Sequence, residues 1–138
     1  MGQSLVPPLL ALQFVAFGWR INREITLGDQ NRRTWLLLAD YLNLGSLLSV
    51  VSMCIVLPLP TGQLGVLSRA VLAVGYVLIA FYPVNIAAHY RLFSKLGRSV
   101  YLKKQGDDVP YSTRQEIISL GVAIAAAGTA GSYVYFSG

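Results

Sequence analysis

The sequence predicts an all-α integral membrane protein, a four-helix bundle in which three or four helices cross the bilayer in up-down order. Two observations carry most of this prediction. The 138-residue chain is 54% hydrophobic and 12% charged, whereas a soluble domain usually carries about 25% charged residues. The apolar residues also come in blocks, since no charge occurs from Tyr41 to Ser68 or from Ala70 to Ala88. Uncharged apolar stretches of about 18 residues or more are typical of membrane-spanning helices.

The third observation is the stretch between these two blocks. Residues 57–65 are rich in Pro and Gly, which end a helix and allow the chain to reverse. Residues 34–93 are therefore predicted to form a central helical hairpin. The chain is predicted to be one transmembrane domain, residues 1–138, with helices near 5–26, 34–57, 67–93 and 114–136.

The first helix has the weakest pattern of the four. Pro7 and Pro8 suit a helix start, but the apolar run from Leu9 to Trp19 is short for a membrane span. The helix reaches the required length by continuing past Arg20 and Arg23, whose side chains are expected to extend to the interface. A re-entrant or surface-lying helix is the alternative.

The central hairpin contains the polar residues that are expected inside the membrane, namely Asp40, Asn43, Asn85 and His89. Ser46, Ser49 and Ser52 continue the polar series in the second helix at intervals of three residues. Because an α-helix has 3.6 residues per turn, these positions wrap around the helix and form no continuous polar stripe. Folding the hairpin about its turn brings Asp40 to the level of Asn85. Tyr82, Asn85 and His89 have the spacing of one face of the third helix, and His89 is expected nearer the headgroups.

The last helix is rich in small residues. Thr113 and Glu116 have the spacing of a capping box, and Gly121, Ala125 and Gly128 follow within an uncharged stretch. Small residues let helices approach closely in lipid, where no hydrophobic force drives them together. These three residues are therefore predicted to form a helix-packing face.

The charges predict which way the chain faces. Most of them lie in two basic segments, residues 20–33 and 91–116, and Lys and Arg concentrate in cytoplasmic loops. Both segments are therefore predicted to be cytoplasmic, with both termini on the opposite side. A cluster of basic residues after the third helix is expected to contact headgroups, preferably of anionic lipids: Arg91, Lys95, Arg98, Lys103 and Lys104.

The sequence predicts no enzyme, metal site, cofactor or nucleic-acid partner. It lacks the common nucleophile, zinc and nucleotide motifs, and it contains one cysteine and one histidine. The favoured hypothesis is a non-catalytic subunit of a membrane complex or homo-oligomer. The alternative is an oligomeric ion channel or small-solute transporter that uses Asp40 and Asn85. A minor alternative is a quinone- or haem-associated anchor of a respiratory complex, with His89 as a haem ligand or Tyr82, His89 and Tyr90 at a quinone site.

Overall fold

The computed structural model describes residues 2–30, 34–90, 92–93, 100–101 and 112–137. Four long helices dominate these residues: α1 (Val6–Asp29), α2 (Leu38–Val51), α3 (Val66–His89) and α4 (Arg114–Ser137). A short 3₁₀ turn, Gly2–Leu5, precedes α1, and a π-helical segment, Ser52–Val56, extends α2. Two-residue strands, β1 (Val100–Tyr101) and β2 (Ser112–Thr113), pair in antiparallel fashion. The all-helical class is thus confirmed, and the strand pair was not predicted.

Three of these helices are long and apolar enough to cross a membrane. They are Leu38–Val56, which joins α2 to the π-helical segment, Val66–His89 and Arg114–Ser137. The helix α1 has the length but does not reach the same hydropathy, in agreement with the weak apolar pattern of its sequence.

The helix boundaries differ from the predicted ones mainly at the start of α2. Residues 34–37 are not helical, Leu37 is extended, and α2 begins at Leu38 rather than at residue 34. The peptide groups of Trp35 explain the delay, because its N–H donates to Glu24 Oε2 at 3.2 Å and its carbonyl accepts from Arg20 at 3.3 Å. Both contacts hold the chain away from a helical hydrogen-bonding pattern.

The other ends are closer to the prediction. The helix α1 covers residues 6–29 rather than 5–26, and α3 ends at His89 rather than at residue 93. The turn between α2 and α3 lies where Pro and Gly predicted it, and Gly62 adopts a φ of 67°, which only glycine reaches without strain.

Contacts between the helices fix their directions. Leu9 of α1 lies beside Gly75 of α3 and Val50 of α2, while Arg20 of α1 contacts Asp40 of α2. The helix α1 is therefore antiparallel to α2 and parallel to α3. The helix α4 is antiparallel to α3, since Glu116 contacts His89 and Gly131 lies against Val74.

The two ends of this arrangement differ in polarity. Apolar side chains fill the end beside the α2–α3 turn, around Leu9, Val50 and Leu72. The buried charged residues lie toward the other end, where α1 and α3 finish and α2 and α4 start. We call this second region the polar end.

Candidate functional site

The largest group of buried charges joins α1, α2 and α3. Arg20 is 2% exposed and Asp40 is 0% exposed. Arg20 Nε donates to Asp40 Oδ2 at 2.9 Å, and the Tyr82 hydroxyl donates to Asp40 Oδ1 at 2.6 Å. Glu24, one turn along α1, places its Oε1 2.5 Å from Arg20 Nη1. We call Arg20, Glu24, Asp40 and Tyr82 the Arg20 network.

Together with Arg23, the Arg20 network is electrically balanced. Arg23 adds a second positive charge 3.1 Å from Glu24 Oε1, so two arginines face two carboxylates. Arg23 is 35% exposed and therefore lies at the solvent side of the group. Burying an ion is costly unless it is paired and hydrogen-bonded. Asp40 satisfies both conditions, since its two oxygens accept from Arg20, Tyr82 and the backbone N–H of Leu37.

A second buried pair joins α3 to α4. His89 Nδ1 lies 2.8 Å from Glu116 Oε2, and these side chains are 2% and 1% exposed. Glu116 Oε2 accepts the Thr113 N–H at 3.3 Å, while Thr113 Oγ1 accepts the Glu116 N–H at 3.0 Å. The predicted capping box is thus confirmed. The Thr113 hydroxyl also donates to the carbonyl of Ala88 at 2.8 Å, which ties the start of α4 to the end of α3.

The two pairs share one design. Asp40 is the third residue of α2, Glu116 is the third residue of α4, and each accepts the backbone N–H of the residue three positions before it. Each also pairs with a basic side chain of the preceding helix, Arg20 in α1 and His89 in α3. A carboxylate near a helix N-terminus complements the positive end of the helix dipole. Each acid therefore both caps its own helix and binds the helix before it.

Uncharged polar side chains continue the contact between α1 and α2 toward the apolar end. Gln13 Nε2 donates to Ser46 Oγ at 3.0 Å, and Asn43 Nδ2 lies 3.5 Å from the carbonyl of Gln13. The side-chain oxygens of Gln13, Asn43 and Asn85 are buried and accept no hydrogen bond from the described residues. Such oxygens are suited to a donor that comes from outside this part of the chain, such as water.

The predicted intramembrane residues are all buried, and two of them, Asp40 and His89, are bound in separate pairs. Asp40, Asn43, Asn85 and His89 are between 0% and 4% exposed. Asp40 was expected level with Asn85, and it accepts hydrogen bonds from Arg20 and from Tyr82, which precedes Asn85 by three residues in α3. His89 was expected near the headgroups, and it is buried against Glu116.

Arg20 is a further correction. Its side chain was expected to extend along α1 to the interface, yet it turns inward to Asp40. The physical reason is that Asp40 is buried in α2 and needs a counter-ion. Among the described residues, no cation other than Arg20 contacts it. Pairing removes two unfavourable charges at once, whereas extension would relieve only one.

The predicted packing residues of α4 face outward. Gly121, Ala125 and Gly128 are exposed, and a Cβ added at either glycine would meet nothing within 4 Å. The face that packs on α3 contains Gly131 instead, where an added Cβ would lie 2.7 Å from Val74 Cγ2. Gly75 in α3 is similarly tight, with Leu9 Cδ2 2.8 Å from such a Cβ.

The predicted headgroup residues follow α3 in the sequence. Arg91, Lys95, Arg98, Lys103 and Lys104 lie outside the described residues. Within the described ranges, no group of three or more His, Cys, Asp or Glu side chains is arranged to hold a metal ion.

Two open pockets lie at the apolar end, away from the Arg20 network and from the pair of His89 and Glu116. Their volumes are about 400 and 430 Å³, and they flank the turn between α2 and α3. Pro58 lines both, Ser68 lines the first, and Cys54 lines the second. Neither has a charged lining residue.

Sequence reasoning missed Arg20, Glu24, Tyr82 and Glu116 as members of buried polar groups. The sequence contained a signal for the pair of Arg20 and Asp40. Asp40 is the one acid in the central hairpin, and an ionisable residue within a span requires a partner. The signal for Glu116 was its capping box, which places the carboxylate at the start of α4 but does not show that it binds α3.

Comparisons with family models, with curated proteins and with solved structures found no match to this chain.

Proposed function

We propose that this chain is an integral, multi-pass membrane protein that acts as a non-catalytic subunit of a membrane complex or of a homo-oligomer. The proposal rests on how the buried charged side chains are bound. In both buried pairs the acid is bound to a basic side chain and to the start of a helix. These groups support helix packing and leave neither acid as a free general base or open ion ligand.

The outer surface of α4 supports an assembly role. Its exposed side combines small residues with large apolar ones, including Ile118, Val122 and Ile124, which are 52–61% exposed. Small exposed residues allow a second helix to approach closely. The predicted packing face of Gly121, Ala125 and Gly128 therefore remains available to a partner chain.

The size of the purified protein in mild detergent tests this proposal. Gly128→Leu adds bulk to the exposed face of α4, and we expect it to reduce the size of the assembly or to release a co-purifying protein. Gly45→Leu makes the same change on the exposed face of α2, where an added Cβ also meets nothing within 4 Å. This control should leave the assembly unchanged. A wild-type protein that is monomeric and co-purifies with no other protein would contradict the proposal.

A channel or transporter is the second candidate, and the unpaired amide oxygens favour it. The oxygens of Gln13, Asn43 and Asn85 are distributed over three helices and would accept hydrogen bonds from a file of water molecules. Asp40 supports this role less than expected, because Arg20 neutralises it. Reconstituted vesicles distinguish the candidates: a leak of ions or protons that Asn43→Leu or Asn85→Leu abolishes would establish a channel.

The respiratory-anchor alternative has the weakest support. His89 was its candidate ligand. The contact of its Nδ1 with Glu116 leaves Nε2 as the ligating atom, but the side chain is 2% exposed between α3 and α4 and leaves little access for a group as large as haem. Haem bands in the optical spectrum of the purified protein would support the respiratory-anchor alternative.

We further propose that the basic loops are cytoplasmic, that both termini lie on the opposite side, and that the segment from Arg91 to Lys104 binds anionic lipid. Each Lys or Arg near an anionic surface contributes about 1 kcal/mol. Native mass spectrometry should show more anionic than zwitterionic lipid on the wild type. Replacing Lys103 and Lys104 by Gln should reduce this preference. Labelling of Gln30→Cys from outside intact cells would contradict the orientation.

A further inference from the structure

The helix α1 is apolar on the outside and polar on the inside. Its large exposed side chains include Phe14, Val15 and Trp19, each at least 57% exposed, whereas Gln13 and Arg20 are fully or almost fully buried. A helix on the surface of a soluble protein has the opposite arrangement. The outer face of α1 is therefore suited to lipid, and its inner face is suited to a polar partner.

That polar partner is α2. Gln13 and Arg20 are seven residues apart, which is about 10.5 Å along a helix, and they contact Ser46 and Asp40, which are about 9 Å apart. Two successive polar groups of α1 thus meet two successive polar groups of α2 in antiparallel register. At the apolar end, the Tyr76 hydroxyl of α3 donates to the carbonyl of Leu5 at 2.8 Å, so α1 lies along the hairpin over its full length.

On its own, α1 is poorly suited to cross a membrane. It lacks the hydropathy of the other three helices, and an arginine within a span opposes insertion unless its charge is paired or reaches the interface. Glu24 lies one turn away and offsets only part of the charge, because Arg23 shares it. The second counter-ion, Asp40, belongs to the next helix and is synthesised twenty residues after Arg20.

We propose that α1 crosses the membrane only after it pairs with α2, and that the Arg20–Asp40 ion pair is the contact that brings it in. Before this contact forms, α1 lies along the interface with its apolar face in the lipid, as amphipathic helices do. The inference rests on the proposed membrane location and adds a conformational step to it. It is independent of whether the chain assembles with others.

The test determines whether the two ends of α1 lie on the same side of the membrane. Single cysteines replace Ser4 or Gln30 in full-length Cys54→Ser protein, and a membrane-impermeant maleimide labels sealed vesicles from either side. In the parent protein the two positions should label from opposite sides. With Asp40→Leu, we expect a larger share of position 4 to label from the same side as position 30. The ratio of crossed to uncrossed α1 should fall roughly tenfold, since Glu24 still offsets part of the Arg20 charge.

Two further variants make the result specific. Arg20→Leu combined with Asp40→Leu should restore the crossed state, because α1 then no longer contains the charge that requires a partner. Asp29→Leu removes an exposed acid at the end of α1 and should change nothing. A cysteine at Thr61 reports whether the hairpin itself is still inserted.

The outcomes decide between the possibilities. If Asp40→Leu also changes the labelling of position 61, the variant disturbs the hairpin itself. The measurement is then repeated with Asp40→Asn, which removes the charge with little change in shape. The inference is overturned if these variants leave position 4 on the parent side in the parent proportion. It is also overturned if positions 4 and 30 label from the same side in the parent protein. Either result leaves the assembly measurement in detergent unaffected, so the two proposals fail separately.

Discussion

Two glycines in α4, three residues apart, provide a quantitative test of how α4 packs on α3. Gly131 faces α3, where an added Cβ would lie 2.7 Å from Val74 Cγ2 and 3.6 Å from the carbonyl of Ala70. Gly128 has nothing within 4 Å of the same added atom. Gly131→Ala and Gly128→Ala are therefore the same chemical change in the same helix, with and without a neighbour.

The expected magnitude follows from this matching. Replacing Gly by Ala within a helix contributes up to about 1 kcal/mol through helix propensity, and this contribution is common to both variants. Only Gly131→Ala adds the cost of overpacking, typically about 1–3 kcal/mol. Val74 cannot turn away easily, because β-branched side chains have one strongly preferred rotamer in a helix. We expect Gly131→Ala to be less stable than Gly128→Ala by about 1–3 kcal/mol.

Equilibrium unfolding of both variants in detergent micelles measures this difference. The protein concentration must be low enough to keep the oligomeric state of both variants the same, because Gly128 faces a proposed partner. If the two free energies of unfolding agree within about 0.5 kcal/mol, the usual effect of a surface substitution, the packing of α3 on α4 described above is wrong.

Three further changes probe the polar contacts. Asp40→Leu leaves Arg20 buried with a weaker counter-ion and should lower the free energy of unfolding by about 3–5 kcal/mol, while Arg20→Leu/Asp40→Leu should regain most of it. Thr113→Ala removes both the cap of α4 and the bond to Ala88, and we expect a loss of about 1–2 kcal/mol in the same measurement. Ser68→Ala removes the hydroxyl that donates to the Met53 carbonyl at 2.5 Å and should cost about 0.6–1 kcal/mol.

Each of these predictions has a clear contrary result. A double variant no more stable than Asp40→Leu would show that Arg20 is not the residue left unpaired. Thr113→Ser keeps the hydroxyl and serves as the control for Thr113→Ala, so equal losses in the two would exclude the hydrogen bonds as the cause. Ser49→Ala is the control for Ser68→Ala, because Ser49 is exposed and its hydroxyl bonds within its own helix. A greater loss at Ser49 than at Ser68 would contradict the inter-helix role of Ser68.

The elements that local sequence determines could be predicted. The long uncharged stretches required helices, and the three described helices that include them have the length and hydropathy of membrane spans. The shared face of Tyr82, Asn85 and His89 follows from helical spacing alone, and all three are buried. The capping box of Thr113 and Glu116 is equally local, because its two hydrogen bonds join residues three positions apart.

The contacts between helices could not be predicted in the same way. Which residue of α1 meets Asp40 depends on the relative depth and rotation of two helices, and neither quantity is encoded in the periodicity of one of them. The choice between Gly128 and Gly131 illustrates the rotation. These residues lie about 60° apart around α4, since three residues advance by about 300° at 3.6 residues per turn, yet one faces α3 and the other faces outward.

The π-helical segment Ser52–Val56 has a consequence for how the length of this chain can change in evolution. Its hydrogen bond from Leu57 N–H to Ser52 carbonyl, at 3.0 Å, spans five residues where an α-helical bond spans four. A deletion elsewhere in α2 would rotate everything beyond it by about 100° and move Asp40 or the turn out of register. A deletion within Ser52–Val56 would instead convert the wide turn into an ordinary one and leave both flanks in place. This segment is therefore where we expect relatives of the chain to differ in length by one residue.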